Sequence, residues 1–200
     1  MKLLAASKNT HKISEFQHML SQNDDVQILS ANEIEIADVI EDADSFVGNA
    51  TKKALEISLQ HKLPVIADDS GLEVFSLNGE PGIYSARYGG DAALTDADRM
   101  NLVLQKLEGK EDRSARFVAV LAFAYDGEVL GTFEGEVRGT IALEAKGQQG
   151  FGYDPIFIPD AFDKSFAELG AEIKDSMSHR ANALSKALES GIIQKLKSLI

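Results

Sequence analysis

The stretch PVIADDSGL, residues 64–72, carries the main information about the fold. Pro64 to Ala67 is an apolar run that is typical of a buried strand, and it leads directly into Asp68-Asp69-Ser70-Gly71. If the strand continues, the two carboxylates face opposite sides of it, so that one can face a binding site while the other anchors the chain. Asp-Asp-Ser-Gly is also a favourable turn sequence, and a turn before a further extended segment, Leu72 to Leu77, is the competing interpretation.

Strands and helices alternate on the amino-terminal side of this stretch. Lys2 to Ala6 and Val26 to Leu29 are predicted strands. The first predicted helix begins at about Lys12, and its apolar residues recur at helical spacing: Ile13, Phe16, Met19 and Leu20. The second follows an acidic connection, residues 33–44, has Ser45 as its N-cap and has an apolar stripe of Phe46, Ala50, Ala54 and Ile57.

The carboxyl-terminal half is dominated by a predicted hairpin. Arg116 to Tyr125 and Glu128 to Val137 are strand-like and are joined by Asp126-Gly127, a sequence typical of tight hairpin turns. Helices are predicted on both sides, one starting at Thr95 with Asp98 three residues later, and one running from about Ser178 until Gly191 ends or kinks it. The pattern predicts an α/β protein with a mixed sheet, and the absence of repeats or linker-like tracts indicates one domain over residues 1–200.

Composition limits the function classes. The 200 residues include 32 acidic and 20 basic ones, a net charge of −12, which disfavours nucleic acid and anionic membranes as partners. A small anionic molecule remains compatible, because a few clustered cations can outweigh a diffuse negative surface. The chain has no cysteine, which excludes disulfides and thiolate chemistry and fits a cytoplasmic location. Because Leu3 to Ala6 is too short for a secretory signal, we expect a mature, soluble chain.

The turn Ser7-Lys8-Asn9-Thr10-His11-Lys12 is a candidate anion site. It lies between a predicted strand and a helix start, where backbone N–H groups and two ammonium groups favour a phosphate. The turn lacks the glycines of a Walker loop. A solvated surface turn with two ordinary lysines is the alternative.

Acidic residues and one lysine form a second candidate group. Asp68 and Asp69 offer the oxygen ligands that magnesium prefers, whereas spacing alone does not select Glu41 among its acidic neighbours. Lys53 follows Phe46 by seven residues and therefore lies within about 20° of it on the apolar face. A buried ammonium needs a carboxylate or a bound phosphate as partner, unless its stem extends to solvent.

Two further segments are candidate ligand contacts. Ser178-His179-Arg180 places cations at a helix start, where they oppose the helix dipole by roughly 0.3–1 kcal/mol each, so an anionic or carbonyl-bearing ligand would explain them. In Gly150-Phe151-Gly152-Tyr153-Asp154, aromatic rings between glycines can lie flat against a base, or can simply pack a tight turn.

Taken together, these segments resemble one family, the inosine/xanthosine triphosphate pyrophosphatases, over nearly the whole chain. Five motifs stand in the family's order: Ser7 to Lys12, Ala67 to Leu72, Pro81 to Tyr88, Gly150 to Pro155 and Ser178 to Arg180. The resemblance implies a long mixed sheet with flanking helices, two lobes around a central nucleotide-binding cleft, and usually a homodimer. The implied reaction is Mg²⁺-dependent hydrolysis of non-standard purine nucleoside triphosphates (ITP, dITP, XTP) to monophosphate and pyrophosphate.

The resemblance also implies roles for individual residues. Ser7, Lys8, Asn9, Thr10, His11 and Lys12 would wrap the triphosphate, and Lys53 would approach it from the long helix. Glu41 and Asp69 would hold magnesium beside Asp68, with Asp69 also the base for the attacking water. Ser70 would touch the substrate, while Phe151, Gly152, Tyr153 and Asp154 would hold base and sugar. Lys174, His179 and Arg180 would face the purine edge.

The chain departs from the family pattern at Ala43 and Gly48, where the family often has glycine and glutamate, so the capping box at Ser45 loses its returning carboxylate. Gln149 also stands where a glycine is common. Two other functions remain open: a pyrophosphatase of modified pyrimidine or methylated nucleotides, and a nucleotide-binding module without catalysis.

Overall fold

A computed structural model describes residues 1–21, 26–31, 33–93 and 95–200. It is a mixed α/β structure, as the sequence predicts. The strands are β1 Lys2–Ala5, β2 Gln27–Leu29, β3 Val65–Val74, β4 Ser114–Tyr125, β5 Glu128–Ile141 and β6 Phe157–Pro159. The helices are α1 Thr10–Leu20, α2 Phe46–His61, α3 Asp96–Lys106, α4 Phe166–Leu169, α5 Ala171–Met177, α6 His179–Glu189 and α7 Ile192–Lys197.

The six strands form one sheet in the order β2-β1-β3-β4-β5-β6. Strand β1 pairs in parallel with β2 and β3, so that Leu4 lies opposite both Leu29 and Val65. Strand β6 pairs antiparallel with β5. Parallel and antiparallel pairs in one sheet confirm the predicted mixed sheet.

Local signals in the sequence are confirmed where they specify turns and helix ends. Asp126 and Gly127, between β4 and β5, have φ values of 45° and 80°, as a two-residue hairpin turn with two left-handed residues requires. Thr95 and Asp98 form the predicted capping box at the start of α3. Gly191, with φ of 78°, lies between α6 and α7 and ends the former.

Strand β3 decides between the two interpretations of residues 68–71. The strand continues and the alternative turn is wrong, because β3 runs without interruption from Val65 to Val74, and a 3-10 turn, Phe75–Leu77, follows it. Turn propensity reflects the ability of Asp and Ser side chains to bond to their own backbone. Here Asp68 and Asp69 instead bond to other side chains, so a regular strand carries two buried carboxylates.

The chain divides into two compact units. Unit 1 comprises residues 1–69, 119–135 and 180–200, and unit 2 comprises residues 70–118 and 136–179. Each has an apolar core of its own, with Phe16 and Phe123 in unit 1 and Phe117 and Phe157 in unit 2. Within the described part of the chain, none of the helices has the length and apolar character needed to cross a membrane.

Candidate active site

Asp68 lies in β3 of unit 1, fully buried between two cations. Its carboxylate contacts the ammonium of Lys12, from α1, and accepts a hydrogen bond of 2.9 Å from Nε of Arg180, from α6. Burial alone would raise the pKa of Asp68, but the charges of Arg180 and Lys12 outweigh it and hold that pKa well below its usual range. Asp68 is therefore a permanent negative charge that fixes two cations.

Arg180 has a second carboxylate partner. Its Nη1 contacts Glu15 of α1, and the arginine side chain is 1% exposed. Burial by itself would lower the pKa of Arg180, yet Asp68 and Glu15 keep it above its ordinary value. Positive and negative groups thus alternate through Glu15, Arg180, Asp68 and Lys12, so this buried row carries no net charge.

Asp69, the next residue of β3, has a different environment. Its Oδ2 accepts a hydrogen bond of 3.0 Å from the amide nitrogen of Asn49, in α2. Burial raises the pKa of Asp69 to about 6, although Lys53 and Lys12 act in the opposite direction, and the negative charge of Glu41 adds to the rise. A carboxyl group with a raised pKa beside a cluster of charges is typical of functional sites.

Lys53 links β3 to the acidic segment, residues 33–44, that precedes α2. Its ammonium contacts the carboxylate of Glu41 and donates a hydrogen bond of 2.9 Å to the carbonyl oxygen of Asp68. The sequence predicted that Lys53 needs either a carboxylate or a phosphate as its partner, and the structure confirms the carboxylate. The structure therefore brings Lys12, Lys53, Glu41 and the two aspartates together, although the sequence spreads them over residues 12–69.

The turn before α1 is ordered by its own side chains. Asn9 is the N-cap, and its Oδ1 accepts hydrogen bonds from the backbone N–H groups of His11 and Lys12, at 2.9 and 3.3 Å. Ser7 Oγ accepts a bond of 3.1 Å from the N–H of Asn9. Lys8 pairs with Asp38 at 2.6 Å on the surface, and Thr10 and His11 are exposed. Helix α1 begins at Thr10, two residues before the predicted start.

The donor set around Asp69 fits a hard divalent cation that brings other ligands with it. Among the residues that the structure describes, no three His, Asp or Glu side chains form a group able to hold a metal ion. Magnesium is commonly bound by one or two carboxylates together with water and substrate phosphates, so a pair of carboxylates can be enough on the protein side. Asp68 is paired with Lys12 and Arg180.

In unit 2, the loop predicted to hold base and sugar is fixed by a buried ion pair. Lys174 lies 2.7 Å from Asp154 Oδ2, with side chains 5% and 2% exposed, and its ammonium stands 4.4 Å from the centre of the Phe151 ring. Asp154 also accepts a bond of 2.8 Å from the N–H of Phe151. The backbone at Gly150 has φ of 79°, and a Cβ there would overlap the Asp154 carboxylate, so only glycine fits.

The remaining predicted residues of unit 2 are also held in place. Tyr153 donates a hydrogen bond of 2.8 Å to the carbonyl of Ser85, and Gly152 N–H donates one of 2.7 Å to Asp96. His179 is buried and stacks on the ring of Phe117, with centroids 4.9 Å apart. Ser70 is the first residue of unit 2 and is half-buried.

Sequence reasoning missed two residues of the site, Glu15 and Asn49. A signal existed for Asn49, because it lies on the apolar stripe of α2 between Phe46 and Ala50, where a buried amide requires partners. Glu15 is buried beside Phe16 in α1, but no local pattern links it to Arg180, 165 residues away.

Known proteins are similar to this chain over almost its entire sequence. The model of the Ham1 family matches residues 3–190. The dITP/XTP pyrophosphatase of Desulfotalea psychrophila is 46% identical over 185 residues, covering 92% of this chain and 82% of that protein. The dITP/XTP pyrophosphatase of Flavobacterium johnsoniae is 44% identical over 190 residues, covering 94% and 97%.

A solved structure matches as well. The Staphylococcus aureus Ham1 protein has a TM-score of 0.83 and 40% sequence identity to this chain, and the match covers 98% of this chain and 100% of that one. Sequence, fold and the family model therefore agree, and the chain belongs to the Ham1 family.

Proposed function

We propose that this chain hydrolyses non-standard purine nucleoside triphosphates, such as ITP, dITP and XTP, to the nucleoside monophosphate and pyrophosphate. The observation that carries the proposal is the convergence of Lys12 and Lys53 on Asp68, directly beside Asp69 and Glu41. Cations next to acidic oxygen ligands are what cleavage of a phosphoanhydride requires, since this chemistry is mostly positioning and charge neutralisation. The curated relatives named dITP/XTP pyrophosphatase support the same substrate class.

The triphosphate is bound by Lys12, Lys53 and the turn from Ser7 to Lys12. Both lysines are already aligned by carbonyl or carboxylate partners, so little side-chain entropy is lost when their remaining N–H donors bind phosphate oxygens. The cap at Asn9 keeps the first turn of α1 in place beside them.

Glu41 and Asp69 would hold Mg²⁺. When bound, this ion neutralises charge on the phosphates and lowers the pKa of water. Asp69 also accepts the proton of the attacking water. Its Oδ2 takes the hydrogen bond from Asn49, which leaves Oδ1 as the oxygen with more open coordination.

The residues of unit 2 bind base and sugar. Phe151, Gly152, Tyr153 and Asp154 form the contact surface, and the Lys174–Asp154 pair fixes its shape. A donor from His179 or Arg180 to the 6-keto oxygen rejects adenine, which presents a donor at that position and would leave the site unpaired. Because Arg180 is held by Asp68 and Glu15, His179 is the better candidate of the two.

The proposal extends to assembly and location. We expect a homodimer, which sedimentation would detect as a particle of twice the 21.6 kDa of the chain. Because the proposed substrates belong to the free nucleotide pool, we also propose a cytoplasmic location.

The decisive experiment measures pyrophosphate release from ITP, dITP and XTP against ATP, GTP and dTTP, and compares the wild-type chain with Asp69→Asn. The wild-type protein should cleave the first three in the presence of Mg²⁺, and Asp69→Asn should bind ITP without turnover. Near-normal pyrophosphate release by Asp69→Asn would refute the role of Asp69. The same panel should include modified pyrimidine and methylated nucleotides, and preferential cleavage of these would refute the substrate class. Binding of nucleotides without any cleavage would indicate a non-catalytic module.

A further inference from the structure

Asn49 is a buried amide that connects two parts of the candidate site. It lies in the first turn of α2 and its side chain is fully buried. Its Oδ1 accepts a hydrogen bond of 2.9 Å from the backbone N–H of Ala43, and its Nδ2 donates one of 3.0 Å to Oδ2 of Asp69. One side chain therefore joins the segment that follows Glu41 to the carboxylate of β3.

The chemistry of the two partners fixes the orientation of this amide. A backbone N–H can only donate and an ionised carboxylate can only accept, so the oxygen of Asn49 faces Ala43 and the nitrogen faces Asp69. Flipping the amide would break both bonds. Because unsatisfied buried polar groups are costly, the arrangement is strongly preferred, and it holds Asp69 in one rotamer.

The two departures from the family pattern, Ala43 and Gly48, lie at the same place. A Cβ built at residue 48 would lie 2.7 Å from the Cβ of Ala43, so the glycine allows the acidic connection to approach α2 closely. Ser45 Oγ accepts a bond of 3.2 Å from the N–H of Gly48 and closes the first turn. Residues 43–49 thus form a tight corner around Asn49, and Glu41 stands two residues before it.

We propose that Asn49 is a positioning residue that sets the geometry of Asp69 relative to Glu41. The inference rests on the proposed function, in which these two carboxylates hold a divalent cation. The amide of Asn49 is engaged by Ala43 and Asp69, so it would act on the cation only through Asp69 and the backbone near Glu41. It restricts Asp69 to one orientation and holds the backbone next to Glu41, so that both carboxylates present their oxygens together.

The test uses two substitutions and a matched control in the same helix. Asn49→Ala removes both hydrogen bonds, whereas Asn49→Asp keeps an acceptor for Ala43 and places a second carboxylate against Asp69. The control is Ser58→Ala, because Ser58 is equally buried in α2 and its hydroxyl bonds to Leu55 and Gly127, away from the carboxylates. Thermal melting confirms that each variant is folded before other measurements.

Two readouts separate positioning from a general loss of stability. The first is the kcat and KM for ITP hydrolysis, and the second is the Kd of Mn²⁺, measured by electron paramagnetic resonance in the presence of α,β-methylene-ITP. Both Asn49 variants should lower kcat and weaken Mn²⁺ binding by roughly 10- to 100-fold, the range for residues that orient metal ligands. The KM for ITP should change less than about threefold, because the lysines remain. The losses of kcat and Mn²⁺ affinity in Asn49→Asp should be at least as large as those in Asn49→Ala.

The outcomes are distinct. The inference would be supported if Ser58→Ala keeps the wild-type kcat and Mn²⁺ affinity while both Asn49 variants show the expected losses. Asn49 variants that keep wild-type kcat and Mn²⁺ affinity would overturn it, and so would equal losses in Ser58→Ala. If the wild-type chain releases no pyrophosphate from any triphosphate, the proposed function fails, and the Mn²⁺ measurement still decides whether Asn49 organises the two carboxylates.

Discussion

Glu15→Gln is expected to destabilise the protein far more than its single lost charge suggests. In the wild-type structure Glu15 and Asp68 neutralise Arg180 and Lys12. After the substitution, the buried Arg180 and the partly buried Lys12 share the carboxylate of Asp68, so one positive charge among these directly paired groups is left uncompensated. Breaking a buried ion pair in this way costs about 3–5 kcal/mol. For a chain of this length each kcal/mol lowers the melting temperature by roughly 2–4 °C, so we expect a decrease of about 6–20 °C.

Differential scanning calorimetry without nucleotide measures this effect. Asp42→Asn is the control for charge, because it removes the same unit of charge from an ion pair with Lys52 in which the aspartate side chain is 65% exposed. Its melting temperature should equal that of the wild-type protein, since exposed pairs contribute little. The double variant Glu15→Leu with Arg180→Met should recover most of the loss, because Asp68 and Lys12 then form a neutral pair.

Two results would contradict this reasoning. If Glu15→Gln and Asp42→Asn have the same melting temperature, Arg180 does not depend on Glu15 for its charge balance. If the double variant is as unstable as Glu15→Gln, the loss comes from packing rather than from an uncompensated cation. A double-mutant cycle on Glu15 and Arg180 gives the size of the interaction directly.

Two further predictions use pairs of neighbouring residues. Lys53→Met should lower kcat/KM for ITP by roughly 10- to 100-fold, since a charge-assisted hydrogen bond to phosphate is lost. The neighbouring Lys52 pairs with the exposed Asp42, so Lys52→Met should retain wild-type kinetics, and equal losses in the two variants would contradict the assignment of Lys53. Gly150→Ala should lower stability more than Gly152→Ala in thermal melts, because both backbones are left-handed, at φ of 79° and 61°, but only the Cβ at residue 150 would overlap Asp154. Equal melting temperatures would show that the loop adjusts without cost.

The sequence predicted those features of the fold that depend on neighbouring residues. The hairpin turn at Asp126-Gly127 and the capping box at Thr95 and Asp98 follow from the conformations that these side chains favour locally. The mixed sheet followed from the alternation of strands and helices before the hairpin. For the same reason the position of Lys53 on the apolar face of α2 could be predicted from helical geometry alone.

The environment of the two aspartates could not be predicted in this way. Asp-Asp-Ser-Gly has the composition of a turn, and β3 continues through it because Arg180, Lys12 and Asn49 come from three different helices to bond with the carboxylates. These contacts join residues up to 112 positions apart, which no local pattern contains. Local patterns and the resemblance to a family drew attention to Lys12 and Arg180, whereas the partners of Glu15 and Asn49 became visible only in the structure.

The charges in unit 1 explain how an acidic protein can be suited to a polyanionic substrate. Three cations, Lys12, Lys53 and Arg180, stand among four carboxylates: Glu15, Glu41, Asp68 and Asp69. Fully ionised, this group carries one negative charge, so the lysines position the phosphates but do not by themselves outweigh them. A triphosphate bound without a counterion would therefore meet net repulsion in a poorly solvated environment. A divalent cation that arrives with the nucleotide would remove this repulsion, in agreement with the proposal that Mg²⁺ takes part in the reaction.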